Sequence, residues 1–124
     1  MPTKNDINIA KKISIMGTEY NLICRSNNTE LTKLGCDGYC DSYKKEIVVK
    51  PIIEQFNRSK EEPYETKFAR FKDVVRHEII HAYFDQAGLT EYSEDETLVE
   101  SLTTLIPKIE KSTEEALTLL RKND

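Results

Sequence analysis

The sequence is poor in the residues that define several protein classes. It has no tryptophan, four glycines, four prolines and three cysteines among its 124 residues. It also lacks long apolar runs, and no segment reaches the roughly 20 apolar residues of a membrane-spanning helix. An odd number of cysteines, in a chain whose residues 1–12 carry no apolar signal-peptide core, predicts free thiols. We therefore expect a cytoplasmic protein that neither crosses a membrane nor depends on disulfides.

Positive charge is also in deficit. Lysine and arginine number 18 against 22 aspartates and glutamates, which gives a net charge of −4. This balance argues against a partner such as nucleic acid or an anionic membrane surface. The charged share of 32% and the hydrophobic share of 38% suit a globular domain with one modest core. We expect a single domain over residues 1–124, in which residues 1–11 are flexible.

Short apolar stretches in the first half of the chain predict β-strands. Two apolar runs flank Gly17, a pattern typical of a hairpin. Residues 47–49 are rich in β-branched side chains, and we expect residues 39–41 to pair with them. Residues 57–65 are charged and contain a proline, which predicts a loop. The first half should therefore form a small antiparallel sheet.

The second half of the chain has helical periodicity. Apolar side chains recur with helical spacing over residues 66–87, which predicts one long helix that ends at Gly88. A second helix should start near Ser93 and stop or kink at Pro107. A third should start at Ser112, where the sequence S-T-E-E is a helix start signal. The predicted fold class is α+β, with a small antiparallel sheet followed by the long helix and two further C-terminal helices.

Both histidines of the chain lie in residues 77–81, whose sequence is H-E-I-I-H. Residues four apart on a helix lie one turn above each other, so His77 and His81 can reach one metal ion. Glu78 can then reach a water molecule bound to that ion. This is the H-E-x-x-H pattern of zinc-dependent hydrolases. It predicts a zinc ion held by His77 and His81, with Glu78 as the catalytic residue of an active-site helix.

With no other histidine in the chain, the third protein ligand has to be a carboxylate or a thiolate. Cys36 and Cys40 are four apart and could support a metal pair, although two ordinary half-buried thiols explain the spacing as well. An acidic cluster follows the long helix, formed by Glu91, Glu94, Asp95, Glu96 and Glu100. Glu96 and Glu100 are also four apart and face the same way on a helix.

The order of these residues resembles the gluzincin, or thermolysin-like, arrangement. There a glutamate of a second helix completes a His2Glu zinc site, and an acidic residue four positions later orients a zinc histidine. The resemblance implies Glu96 as the third ligand and Glu100 as the residue that orients a histidine. Two alternatives stay open. Glu96 could belong to a capping box with Ser93, or Glu94 could be the ligand instead.

Residues 38–106 look more widely similar to the small ImmA/IrrE-like and phage-encoded metallopeptidase families. The shared order is a small sheet that ends in a β-branched strand, the H-E-x-x-H helix, and a helix that supplies glutamate, here as E-T-L-V-E at residues 96–100. The chain lacks the alanine-rich continuation that usually follows this glutamate. The resemblance implies a minimal gluzincin-like fold and a phage or mobile-element origin.

Together, motif and resemblance predict a zinc metalloendopeptidase that acts on a peptide or protein substrate. Zinc would lower the pKa of its water to about 7, and Glu78 would pass a proton from that water to the leaving amine. The substrate would lie along an edge strand, either residues 39–41 or residues 47–49. The donor that stabilises the oxyanion stays open among Tyr39, Tyr43, Tyr83, Tyr92 and Arg76.

Two other functions fit the sequence. A zinc-containing regulatory module would dock a protein partner without catalysis, and a fourth protein ligand from Cys36 or Cys40 would indicate such a closed site. A metal-free interaction protein would carry the H-E-x-x-H motif by coincidence. Metal content separates this last possibility from the other two.

Overall fold

The computed structural model describes residues 6–55 and 62–121 of the chain. Within these residues the fold is α+β, as predicted: a four-stranded sheet is followed by a long helix and a C-terminal helical region. The elements are, in chain order, β1 (Asn8–Ile15), β2 (Thr18–Arg25), α1 (Thr29–Leu34), β3 (Gly38–Asp41), β4 (Glu46–Val49), α2 (Ile52–Gln55), α3 (Tyr64–Gln86), α4 (Thr90–Ser93) and α5 (Glu96–Arg121).

The two strand pairs expected from the sequence are both present. β1 and β2 form an antiparallel hairpin, and the two residues between them, Met16 and Gly17, have φ values of 50° and 82°. Positive φ at both central residues is typical of the tight turn that matches the twist of a hairpin. β3 pairs antiparallel with β4, with Tyr39 opposite Val48. The pairing of strands that are neighbours in the sequence was thus predictable from their apolar runs and from the turn residues between them.

The sheet as a whole is mixed, and the expectation of a purely antiparallel sheet is wrong. Its strand order is β1-β2-β4-β3, and β4 runs parallel to β2. The cause is α1, which the sequence did not predict: its Leu31 is fully buried with Ile23 and Val48 on one sheet face. A connection that crosses a sheet face through a helix lets the chain return in the parallel direction. The polar residues before and within α1 resemble a loop, but the Asn28 side chain accepts a hydrogen bond from the Leu31 amide at 3.1 Å and caps the helix.

The start of the chain and the region before α3 also differ in part from expectation. Residues 8–11 belong to β1 and pair with β2, so they are not a flexible segment. Residues 1–5 lie outside the described residues. Of the loop expected over residues 57–65, residues 57–61 also lie outside them, whereas Tyr64 and Glu65 already belong to α3.

Helix α3 packs across the second face of the sheet. Its Ala82 is fully buried in a cluster with Tyr20 and Ile47, and α3 also contributes Phe71, Val74, Val75 and Ile79 around that cluster. The helix ends as predicted at Gly88, whose φ is 74°. The amides of Gly88 and Leu89 donate to the carbonyls of Asp85 and Phe84 at 3.2 and 2.8 Å, a pattern that closes helix ends with a left-handed glycine.

The C-terminal region is a short helix followed by one long helix. α5 does not stop at Pro107 and continues to Arg121, so the expected start of a new helix at Ser112 is wrong. A proline within a helix lacks the amide donor and so removes one backbone hydrogen bond. The Thr113 hydroxyl donates to the Ile109 carbonyl at 2.8 Å, one turn earlier, and so behaves as an interior residue.

The second half of α5 extends away from the sheet. Residues 108–121 are all exposed, including Ile109, Leu117, Leu119 and Leu120 at 41–64%. Val99 and Thr103 of the first half are buried, at 0% and 4% exposure. Despite its length, α5 is too polar to cross a bilayer, and the same holds for the other helices in the described part of the chain.

Candidate metal centre

Helix α3 brings the two histidines together on one face. His77 and His81 lie one turn apart, their ring centroids are 4.9 Å apart, and their Nε2 atoms approach to 3.2 Å. Their side chains are only 15% and 13% exposed. The spacing predicted from the sequence therefore places two imidazole nitrogens side by side at the surface of α3.

Glu96, the first residue of α5, completes the cluster. Its Oε2 lies 3.1 Å from His77 Nε2, and its Oε1 lies 3.1 Å from His81 Nε2. Among the described residues, His77, His81 and Glu96 form the group whose donor atoms lie close enough together to hold a metal ion. The ligand set implied by the resemblance is thus assembled by the fold.

The alternative roles for Glu96 and Glu94 do not match the geometry. Helix α5 is capped by Asp95, whose Oδ1 accepts a hydrogen bond from the Leu98 amide at 3.0 Å. The Ser93 amide donates instead to the Leu89 carbonyl at 3.2 Å, so Glu96 has no capping partner there. Glu94 ends α4 and is not part of the donor cluster.

The separations between the donor atoms fit one small metal ion. Three nitrogen or oxygen ligands at about 2.0–2.1 Å from a tetrahedral centre lie roughly 3.3–3.4 Å from one another. The two Nε2 atoms are 3.2 Å apart, each lies 3.1 Å from a different oxygen of Glu96, and one donor atom from each residue lies within 4.8 Å of the other two. Two imidazoles and one carboxylate form a donor set suited to a divalent transition metal, so these residues fit the ion that the sequence motif implies.

Glu100 lies on the far side of His77, as the resemblance implies. Its Oε1 is 2.7 Å from His77 Nδ1. The two atoms do not meet at the angle of a good hydrogen bond, and Nδ1 has no hydrogen-bond partner among residues 6–55 and 62–121. At this distance the contact is chiefly electrostatic. A carboxylate behind the outer nitrogen of a ligand imidazole orients the ring and raises its basicity.

Glu78 sits beside the cluster without joining it. It is 7% exposed and borders the same cavity as the donor cluster, but its side chain makes no hydrogen bond or ion pair within the described part of the chain. Burial, and then the nearby charges of Glu96 and Glu100, raise the pKa of Glu78 from 4.5 to about 8. A buried carboxyl group with its pKa near neutrality is suited to accept and release a proton.

The cluster lies in an open cavity of ≈ 520 Å³ between three elements. One wall is the edge of the sheet at β3, the floor is α3, and the opposite wall is the start of α5. β3 approaches α3 closely at Gly38, because a Cβ atom there would lie 3.1 Å from Val74 Cγ1 and 3.2 Å from Glu78 Cγ. The absence of a side chain at Gly38 lets the strand edge approach Glu78.

Cys36 and Cys40 border the cavity but supply no ligand atom to the donor cluster. Cys40 packs in the hydrophobic cluster beneath α3, and Cys36 packs in the cluster beneath α1. Burial raises the pKa of both thiols, and that of Cys40 reaches about 12, with the charges of Asp85 and Glu78 as further causes. Protonated thiols are poor metal ligands, because the thiolate is the binding form.

The structure does not favour any of the five expected oxyanion donors. Tyr39 borders the cavity, but its ring packs in the cluster beneath α1 on the other sheet face. Tyr43 is 97% exposed in a turn, Tyr92 packs against Phe84, and Arg76 pairs with Asp73. Tyr83 is 45% exposed and does not border the cavity.

Several residues of the site did not stand out in the sequence. Ser93, interpreted there as a helix cap, contacts His81 Nδ1 through its hydroxyl at 3.1 Å. Asp73, Thr103 and Thr104 also border the cavity. Asp73 lies one turn before His77 on the same helix, so the four-residue spacing could have identified it. The two threonines follow Glu100 by three and four residues. Residues so spaced lie on the same face of a helix, so this spacing could also have identified them.

Comparison of the chain with protein-family models, with curated proteins and with solved structures gave no match. The residues of the site themselves are therefore the basis for inferring its chemistry. They provide three side chains that could hold a metal ion, a carboxylate behind one of the histidines and a buried carboxyl group of raised pKa. The edge of β3 that is unpaired among the described residues lies along the same cavity.

Proposed function

We propose that the protein is a zinc-dependent metallopeptidase with a His2Glu site formed by His77, His81 and Glu96. The observation that carries the proposal is the pair of Nε2 atoms 3.2 Å apart, each 3.1 Å from one oxygen of Glu96, next to a buried carboxyl group outside the donor cluster. Catalytic zinc sites use three protein ligands and keep a position open, whereas structural sites are closed by four. Neither Cys36 nor Cys40 provides a fourth ligand here.

The proposed reaction is hydrolysis of a peptide bond by water. When bound, zinc supplies a lowered pKa for the attacking water, to roughly 7, and polarises the substrate carbonyl. Glu78 accepts a proton from that water and later gives it to the nitrogen of the leaving amine. The C–N bond breaks, a carboxyl group and an amine form, and Glu78 is returned to its starting state. The raised pKa of Glu78 supports this role, since a carboxyl group with such a pKa can hold a proton near neutral pH.

The edge of β3 is the candidate binding surface for the peptide. β4 is paired on both sides, with β2 and with β3, so it offers no free edge. The Lys50 amide donates to the Asp37 carbonyl at 2.9 Å. Because antiparallel pairs alternate, this bond directs the backbone groups of Tyr39 toward β4 and those of Cys40 away from it. An extended peptide would therefore bind antiparallel or parallel to β3 through Cys40, next to the metal ligands.

The family expectation is part of the same proposal. We infer a small gluzincin-type enzyme that acts in the cytoplasm on a peptide or protein substrate, with the ImmA/IrrE-like and phage-encoded peptidases as the nearest resemblance. The support is the combination of H-E-x-x-H on α3 with Glu96 and Glu100 on α5, both in contact with His77. The competing proposal, a zinc-containing module that docks a partner without catalysis, would retain the metal but make no use of Glu78.

Cleavage of a diverse peptide mixture by the zinc-loaded protein tests the proposal. The parent protein should produce new peptide termini, and Glu78→Gln should bind zinc but produce none. Glu115→Gln is the matched control, because Glu115 is an exposed glutamate on α5 far from the donor cluster in sequence. If the parent and Glu78→Gln bind zinc equally and neither produces new termini, the docking module is the better interpretation.

A further inference from the structure

Within the described residues, the side chain of Ser93 makes two hydrogen-bond contacts, and both are with His81. Ser93 is the last residue of α4 and is 6% exposed. Its Oγ lies 3.1 Å from His81 Nδ1, and its hydroxyl donates to the His81 backbone carbonyl at 3.3 Å. A short helix between the Gly88 turn and α5 thus places one hydroxyl group behind the second ligand ring.

The direction of these hydrogen bonds defines the proton position on His81. A serine hydroxyl has one proton, and a backbone carbonyl can only accept. Since the Ser93 proton is used by the carbonyl of His81, its oxygen can offer only a lone pair to Nδ1. With the hydroxyl proton directed to the carbonyl, the proton in the contact between Ser93 Oγ and His81 Nδ1 is the one on Nδ1. In a neutral imidazole the other nitrogen, Nε2, then has the free lone pair.

We propose that Ser93 is a positioning residue that holds His81 in the Nδ1–H form and so presents the Nε2 lone pair to the metal. The inference rests on the proposed metal centre. His81 Nε2 is the atom that lies 3.1 Å from Glu96 Oε1 and 3.2 Å from His77 Nε2. Without the serine, the proton could move to Nε2, where it would block the ligand atom.

The imidazole rings of His77 and His81 contact different chemical groups at their outer nitrogens. His77 has a carboxylate, Glu100, behind its outer nitrogen, whereas His81 has the neutral hydroxyl of Ser93. The carboxylate sits on α5 and the hydroxyl on α4, so each ring is fixed from a separate element. Because Glu78, Glu96 and Glu100 already bring three carboxyl groups to the site, a neutral support for His81 adds no further negative charge.

Nitrogen-15 NMR of the histidine rings in the metal-free protein tests the inference directly, together with zinc affinity. The parent His81 should be in the Nδ1–H form. Ser93→Ala should shift a measurable share of His81, but not of His77, to the Nε2–H form, and should weaken zinc binding by about 10–100-fold. Ser93→Thr retains the hydroxyl and should restore both. Ser101→Ala is the control, since Ser101 also donates to a backbone carbonyl, at 2.8 Å, without contacting a histidine.

A purely structural role predicts another result. If Ser93→Ala lowers thermal stability but leaves the His81 proton position and the zinc affinity as in the parent, Ser93 only ties α4 to α3 and the inference is wrong. Should Ser93→Ala fail to fold, Ser93→Cys gives the same test, because a thiol of similar size is a weak donor and acceptor. Failure of the proposed metal centre is distinguishable, because the parent would then bind no zinc while the NMR result still reports on Ser93.

Discussion

Glu100 follows Glu96 by one helical turn and contacts the opposite nitrogen of the same ring, that of His77. Glu96 Oε2 lies 3.1 Å from Nε2, and Glu100 Oε1 lies 2.7 Å from Nδ1. One face of α5 therefore supplies both a member of the donor cluster and the carboxylate that lies against the outer nitrogen of His77. Two glutamates of equal charge and similar exposure should for this reason respond differently to substitution.

The first prediction concerns these two glutamates. Glu96→Gln removes a direct ligand and should weaken zinc binding more than Glu100→Gln, whose loss should cost about 10–100-fold. Glu94→Gln should bind zinc like the parent, because Glu94 ends α4 outside the donor cluster. Competition with a chelator measures all three affinities. An unchanged affinity for Glu96→Gln, with a loss for Glu94→Gln, would show that the ligand is assigned to the wrong residue.

The second prediction concerns the pH dependence of stability in the metal-free protein. Burial raises the pKa of Glu78 to about 8 in the folded state, against 4.5 for the ordinary group. Between these pH values the folded state holds a proton that the unfolded state has lost, so stability should fall as pH rises from about 4.5 to 8. Glu78→Gln cannot titrate and should lack this contribution.

Urea unfolding of the metal-free parent and of Glu78→Gln, at pH values from 5 to 8.5, checks the sign. The free energy of unfolding of the parent should decline relative to that of Glu78→Gln across this range. A difference that stays constant with pH would contradict the raised pKa of Glu78.

The third prediction concerns Gly38. A Cβ atom at this position would lie 3.1 Å from Val74 Cγ1 and 3.2 Å from both Glu78 Cγ and the Val48 carbonyl oxygen. Gly38→Ala should therefore lower the free energy of unfolding by about 1–3 kcal/mol, the usual cost of overpacking, and should displace Glu78. Adding Val74→Ala should recover part of the stability by removing one of these contacts. Urea unfolding of the single and double variants measures both effects, and a Gly38→Ala protein as stable as the parent would contradict the close approach.

The fourth prediction concerns the two cysteines that border the cavity. Neither thiol belongs to the donor cluster, and burial raises the pKa of both. Cys36→Ala and Cys40→Ala should therefore bind zinc within a few-fold of the parent affinity, as measured by chelator competition. A large loss for either variant would indicate a fourth protein ligand and favour a closed structural site.

Much of the fold could be predicted from local sequence patterns. The hairpin around Gly17 and the helix that ends at Gly88 were predictable because turn and cap residues act on their neighbours in the chain. The parallel pairing of β2 with β4 was not, because it depends on α1, whose polar sequence hides the single buried side chain of Leu31. Pro107 was misleading for a related reason: a proline lowers helix stability locally, but the hydrogen bonds on both sides can outweigh it.

The candidate site, like the fold, could be predicted only where its residues are close together in the sequence. His77 and His81 could be paired from spacing alone, since both lie on one helix. Glu96 required the family resemblance, because no local rule says how α5 meets α3. The capping box with Ser93, which the sequence left open as an alternative, does not form, because Asp95 caps α5. The hydroxyl of Ser93 reaches His81 only because the Gly88 turn folds α4 back onto α3.

The most direct test of the metal centre is zinc X-ray absorption on the loaded protein, with zinc content measured on the same sample. The parent should hold about one zinc ion per chain, surrounded by nitrogen and oxygen ligands at roughly 2.0–2.1 Å, and His81→Ala should lose it. A sulfur ligand at about 2.3 Å would contradict the His2Glu assignment, and no uptake of zinc at neutral pH would contradict the metal centre as a whole.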